Sequence, residues 1–131
     1  MNVMSDVEET LKNAKALLEA GKGDAARVML LEVLKDDPDN MTALLMLGGA
    51  YFYEKKFAEA EMVYQRLVLA EPGSGMLSIG LFNSLWNQGR QEEAMEEIRR
   101  FIQVADKVQE RETLEKYVEI SNRIAEQLDH K

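Results

Sequence analysis

The sequence predicts an all-α protein, a solenoid of helix–turn–helix pairs on a 34-residue period closed by one further charged helix. Three observations carry that prediction. Apolar residues recur at three- and four-residue spacing along most of the chain, and no stretch alternates with the period of two that a strand requires. Turn and capping residues punctuate the chain at short intervals, with Pro38 and Pro72 as the sharpest stops. A shift of 34 residues lays the chain on itself. Under that shift Ala26, Ala60 and Ala94 align, as do Leu17, Tyr51 and Leu85, and Leu30, Tyr64 and Ile98. So do Val33, Leu67 and Phe101, and Ala14, Gly48 and Phe82; Pro38 and Pro72 align with Asp106 as their third member.

The elements follow in order. Ser5 and Glu8 have the spacing of a capping box, which starts the first helix at Ser5. Its apolar face is Val7, Leu11, Ala14, Leu17 and Leu18, and Gly21 and Gly23 end it. Asp24 is the expected cap of a second helix from Ala25 to Lys35, stopped by Asp36, Asp37 and Pro38. Asp39 or Asn40 caps a third, Met41 to Tyr53, and a turn through Lys55 and Lys56 leads to a fourth, Phe57 to Ala70. Glu71, Pro72, Gly73 and Ser74 form the strongest break, and Ser74 is the expected cap of the fifth helix, Gly75 to Asn87. A sixth runs from Gln91 to Val104. The last, Val108 to Leu128, carries the stripe Leu114, Tyr117, Val118, Ser121, Ile124, Ala125 and Leu128.

A chain of 131 residues is read as one domain, 1–131, with repeats at about 7–40, 41–74 and 75–108 and a capping helix at about 108–128. An apolar fraction of 46% supports a packed core. There is no cysteine, so disulfides and thiolate chemistry are excluded, and the one histidine, His130, sits beside the C-terminus and is read as incidental. A net charge of −8 argues against nucleic acid and anionic membrane surfaces as partners. It keeps the protein soluble, and the sharper reading is that it steers a basic partner. Met1 to Asp6 shows neither the basic region nor the apolar core of a signal peptide, and no apolar run approaches the ~18 residues of a membrane span. A cytoplasmic location is expected.

Met41 to Tyr53 is apolar round its whole circumference, with Thr42 almost its sole polar residue. Such a helix is buried on every side or holds something.

The aligned positions resemble the tetratricopeptide repeat family. The middle copy carries that family's pattern as Leu44, Leu47-Gly48, Tyr51, Ala60, Tyr64 and Pro72. The first copy has Asn13-Ala14 and the third Leu81-Phe82 where Leu-Gly is usual, and the third lacks the terminal proline. The resemblance spans roughly residues 7–108 and implies a right-handed superhelical solenoid of three repeats. In physical terms Gly48 and Ala60 let helices approach, while Tyr51 and Tyr64 fill the space between pairs. Each pair buries one face only by stacking on the next, so the stack ends on a polar helix.

Catalytic chemistry is missing from the pattern, and an enzyme is not expected. No phosphate loop and no metal-ligand spacing occurs, so no cofactor is expected. Glu92, Glu93, Glu96 and Glu97 are expected to form a solvated helix face, and Gly73-Ser74-Gly75 a cap rather than a nucleophile loop. The resemblance implies that the first helix of each repeat lines a concave groove. Its candidate residues are Leu11, Lys15 and Leu18, with Glu8, Lys12 and Glu19, in the first repeat. In the second they are Leu45, Met46, Gly49, Phe52 and Tyr53, with Thr42. In the third they are Met76, Ile79, Asn83 and Trp86, with Gly80 and Asn87. This surface is apolar and aromatic at its centre. Lys15 and Asn83 suit a clamp for a peptide carboxylate, but Met46 and Gly49 stand where its other donors belong.

The expected function is a protein-interaction scaffold, of adaptor, chaperone-like or immunity type, holding an apolar peptide or helix on adaptable Met and aromatic anchors. In repeat number and groove character it is similar to the small repeat chaperones of bacterial secretion systems. The alternative is a structural homo-oligomer, a homodimer joined through the groove or through a heptad-like seam of Leu114, Tyr117, Ser121, Ile124 and Leu128.

Overall fold

The computed structural model describes residues 3–129, and among them it forms seven α-helices and no strand. These are α1 (Val3–Glu19), α2 (Gly23–Asp36), α3 (Met41–Tyr53), α4 (Phe57–Ala70), α5 (Gly75–Trp86), α6 (Gln91–Val104) and α7 (Arg111–Asp129). Each helix through α7 packs on its predecessor, and the odd-numbered helices also meet each other: α1 with α3, α3 with α5, α5 with α7. Among the described residues no two even-numbered helices bring their backbones within 8 Å of each other. The odd helices therefore line the inner side of the curve and the even ones the outer side.

Several boundaries move for local reasons. α1 already begins at Val3, so the backbone of Ser5 lies inside the helix and not at its N-cap; the Ser5 side chain, like His130, lies outside the described residues. α2 starts at Gly23 with Lys22 at the N-cap, and Asp24 pairs with Arg27 at 2.8 Å instead of capping. Asn40, not Asp39, caps α3, its Oδ1 accepting the Ala43 N–H at 2.9 Å; Asp39 accepts from Arg66. Ser74 caps α5 through the Leu77 N–H. α7 starts at Arg111, because the Asp106 carboxylate draws the N–H groups of Val108 and Gln109 into a turn, both at 2.9 Å.

The repeat is written into the backbone as well. Gly21, Lys55 and Gly89 take φ of 76°, 63° and 76°, and they stand one period apart. Each closes a helix with the same pair of bonds. Gly21 N–H reaches Leu18 O and Lys22 N–H reaches Leu17 O; Lys55 and Lys56 repeat this on Phe52 and Tyr51, and Gly89 and Arg90 on Trp86 and Leu85. The second residue of each motif then serves as N-cap of the next helix. Lys55 adopts a left-handed conformation that costs a residue with a Cβ ~1–2 kcal/mol. Lys55→Gly is expected to raise the unfolding free energy by about 0.5–1 kcal/mol, read as a higher urea midpoint at unchanged slope.

The small positions bury completely. Ala14, Ala26, Ala60 and Ala94 have no exposed surface. A Cβ on Gly48 would stand 3.2 Å from the Tyr64 ring, so α3 approaches α4 through that glycine. Gly80, read from sequence as a groove residue, sits under the other side of the same ring, where a Cβ would lie 2.5 Å from Cδ1 and 2.6 Å from Cζ. It is a packing glycine between α4 and α5.

Glu97 overturns another expectation. It is buried, not solvated, and forms the centre of a polar cluster joining α5, α6 and α7. Arg100 donates to both its oxygens at 2.6 Å, and the Ser78 hydroxyl donates to Oε2 at 2.6 Å. Ser78 has one proton to give, so Tyr117 donates to Ser78 Oγ, at 2.7 Å. Burial pushes the Tyr117 hydroxyl well above the usual phenol range and keeps it a donor. Its ring is fully buried against Phe82 and Phe101, with centroids at 5.7 and 5.6 Å. The seam of α7 thus faces inward at Tyr117, with Leu114 and Ile120 packed on the core, while Val118 and Leu128 stay exposed.

Candidate functional site

α3 is apolar all round because it has neighbours on most sides and a hollow on the remaining one. Ala43, Leu44, Leu47, Gly48 and Ala50 are buried. Leu45 and Met46 are half-buried, Gly49 is exposed, and Tyr53 is 86% exposed. These last four line a cavity of about 480 Å³ between α3, the end of α1 and the α1–α2 turn. Leu18, Glu19, Gly21, Gly23, Ala50 and Glu54 complete its wall. The floor is open at Gly49, where a Cβ would meet nothing within 4 Å. A glycine inside a helix costs about 0.5–1 kcal/mol relative to alanine, and no neighbour requires this one.

A second hollow of about 150 Å³ adjoins the first through Leu45 and is walled by Met41, Thr42, Leu67, Glu71, Met76 and Leu77. Together the two form a groove across the inner face of α3. A third, of about 280 Å³, lies on α7 among Lys107, Arg111, Leu114, Glu115 and Val118.

The structure brings together Leu18, Leu45, Met46, Gly49 and Tyr53 in the larger hollow, and Thr42 and Met76 in the smaller. Other residues named from the sequence go elsewhere. The Phe52 ring meets Phe57 edge-on at 5.2 Å, turned toward the start of α4. Trp86 is half-buried and stacks on Phe82 at 5.8 Å. Leu11 and Ile79 are half-buried against the core, and Lys15 and Asn83 line neither hollow of the groove.

Glu54 and Glu71 escaped sequence reading as wall residues. Both stand one residue past a helix end, at the C-caps of α3 and α4. The helical period used to trace the stripe stops there, so it gave no signal for them. Glu54 is held by Arg27 and lies 3.8 Å from Lys56 Nζ. Arg27 in turn rests over the Tyr51 ring.

Among the described residues no cluster of acids, histidines or cysteines is arranged to hold a metal ion, and no helix is long and apolar enough to cross a membrane. Residues 11–76 match the tetratricopeptide repeat family. The chain belongs to that family.

No curated protein sequence matches this tetratricopeptide repeat chain. Solved structures do. A MamA variant is 25% identical with a TM-score of 0.68, over 79% of this chain and 61% of its own. The chain thus spans about three fifths of MamA. The first such repeat domain of Spaghetti (RPAP3), bound to the HSP90 peptide SRMEEVD, is 21% identical with a TM-score of 0.71, over 91% of this chain and 95% of its own. A Thermobaculum terrenum O-GlcNAc transferase variant is 23% identical with a TM-score of 0.66, over 79% of this chain and 20% of its own. The likeness to the latter two is one of fold.

Proposed function

We propose that this tetratricopeptide repeat chain is a protein–protein interaction module, of adaptor, chaperone-like or immunity type, and not an enzyme. Its concave groove holds an apolar peptide or helix. The carrying observation is the cavity of about 480 Å³ with an open floor at Gly49, flanked by Leu45, Met46 and Tyr53. Apolar hollows of this size bury anchor side chains, and methionine adapts to more than one of them. The RPAP3 domain, with the same fold, is bound to a peptide. The set that most resembles a catalytic cluster, Ser78, Glu97 and Tyr117, is closed on itself and buried under α7, where it serves packing.

Gly49→Phe tests the groove without disturbing the fold. The ring enters empty space, and the loss of a helical glycine leaves stability unchanged or up to ~1 kcal/mol higher. Affinity capture from the source lysate is expected to retain a partner on the wild type and lose it on Gly49→Phe, with identical circular dichroism. Equal capture by both proteins would remove the groove as the functional surface.

Self-association is the second reading. One observation favours it: Val28, Met62 and Leu69 on the outer helices α2 and α4 are 66%, 68% and 81% exposed. Light scattering that gives the monomer mass of 14.9 kDa at all concentrations would end this reading.

A further inference from the structure

We infer that the groove takes an apolar segment flanked by lysine or arginine and rejects an acidic one; this rests on the groove reading above. The two adjoining hollows share Leu45, and their charged wall residues are Glu19, Glu54 and Glu71, with no lysine or arginine in either wall. All three acids stand at helix C-termini: Glu19 is the last residue of α1, and Glu54 and Glu71 are the C-caps of α3 and α4. The C-terminus of a helix carries partial negative charge from its unpaired carbonyls, which is ordinarily offset by basic residues in the last turn. The last turns of α1, α3 and α4 contain none. The carboxylates therefore add to the helix ends instead of answering them.

Arg27 and Lys56 answer Glu54 from behind. Among the described residues, Glu19 and Glu71 have no cation within ion-pair distance, and both are exposed. A cation on the occupant completes these two sites while its apolar anchor fills the cavity beside Met46 and Gly49. The net charge of −8 draws the same partner from a distance. The clamp residues that would welcome an acidic C-terminus, Lys15 and Asn83, line neither hollow. An exposed ion pair changes affinity about two- to fivefold, so two of them together separate basic from neutral flanks by roughly tenfold.

The test is selection of random twelve-residue peptides on the immobilised full chain at low salt, run in parallel on Gly49→Phe and on a Glu19→Lys, Glu71→Lys double variant. The wild-type pool is expected to be enriched in peptides with an apolar residue beside lysine or arginine. Gly49→Phe is expected to lose that pool. The double variant is expected to bind the best wild-type peptide at least about tenfold more weakly and to select acidic flanks. The best wild-type peptide with each lysine and arginine replaced by glutamate serves as the acidic control and is expected to bind the double variant and not the wild type. A wild-type pool that depends on Gly49 but carries neutral or acidic flanks would overturn this inference and leave the groove reading standing. A pool indifferent to Gly49→Phe, or no pool at all, would overturn both.

Discussion

Tyr117→Ala is expected to lower the unfolding free energy by about 3–5 kcal/mol, a large share of the ~5–15 kcal/mol typical of a folded domain. Tyr117 is the one residue of α7 that is fully withdrawn from water, and its ring touches Phe82 of α5 and Phe101 of α6. Truncation opens a cavity at the junction of three helices. It also leaves Ser78 without its donor, in a cluster that holds the buried Glu97 carboxylate. Tyr117→Phe separates these contributions. It keeps the ring and removes one hydroxyl, and is expected to cost about 1–2 kcal/mol. Urea denaturation of both variants checks the values. Limited proteolysis of Tyr117→Ala should cut first in α7, because that helix docks through few other buried side chains. A cost under ~1 kcal/mol for Tyr117→Ala would mean that α7 is held by something other than this junction.

Gly80→Ala is expected to destabilise by about 1–2 kcal/mol, although alanine is the better helix former. A helical glycine replaced by alanine ordinarily gains up to ~1 kcal/mol. At Gly80 the new Cβ stands 2.5 Å from Tyr64 Cδ1, which forces the ring or the helix to move, and overpacking of that kind costs about 1–3 kcal/mol. At Gly49, four residues from the end of the same kind of inner helix, the added methyl meets open space and the ordinary gain is expected. The same substitution thus has opposite signs at two glycines. Thermal unfolding of both alanine variants reads the difference directly. Adding Tyr64→Leu to Gly80→Ala is expected to recover more than half of the loss, since the two residues share one contact. Equal stabilities for the two glycine variants would refute this account of α4–α5 packing.

Arg66 and Arg100 show how closely the period governs detail. They stand one repeat apart and donate to the carbonyls of Pro38 and Pro72, also one repeat apart, at 2.7 and 2.9 Å. In each case an outer helix is tied to the turn that precedes the inner helix of its own pair. Arg100 differs from Arg66 in also gripping Glu97, and that difference marks the place where stacking stops and α7 docks.

The inner helices and the small turn residues were legible in the sequence because each rests on short-range chemistry. Helical period, glycine and proline stops, and the wholly buried Ala26, Ala60 and Ala94 act within a few residues of chain or within one helix pair. The groove was legible in part. Leu18, Leu45, Met46, Gly49 and Tyr53 share a hollow because one face of a helix stays one face wherever the helix goes. What lies opposite that face is set by residues far away in sequence. Gly80 and Gly49 look alike in a helical stripe, and Tyr64 alone distinguishes them by packing on the first. Glu97 sits among solvated acids in the sequence, and its burial follows from α7 bringing Tyr117 over it. Phe52 and Trp86 have the hydrophobicity of anchors, yet Phe57 and Phe82 claim their rings. The sequence by itself determined the helices, their period and the apolar surplus of α3. Only the tertiary structure decided which part of that surplus stays open, because burial depends on the neighbour that a residue meets and not on the residue.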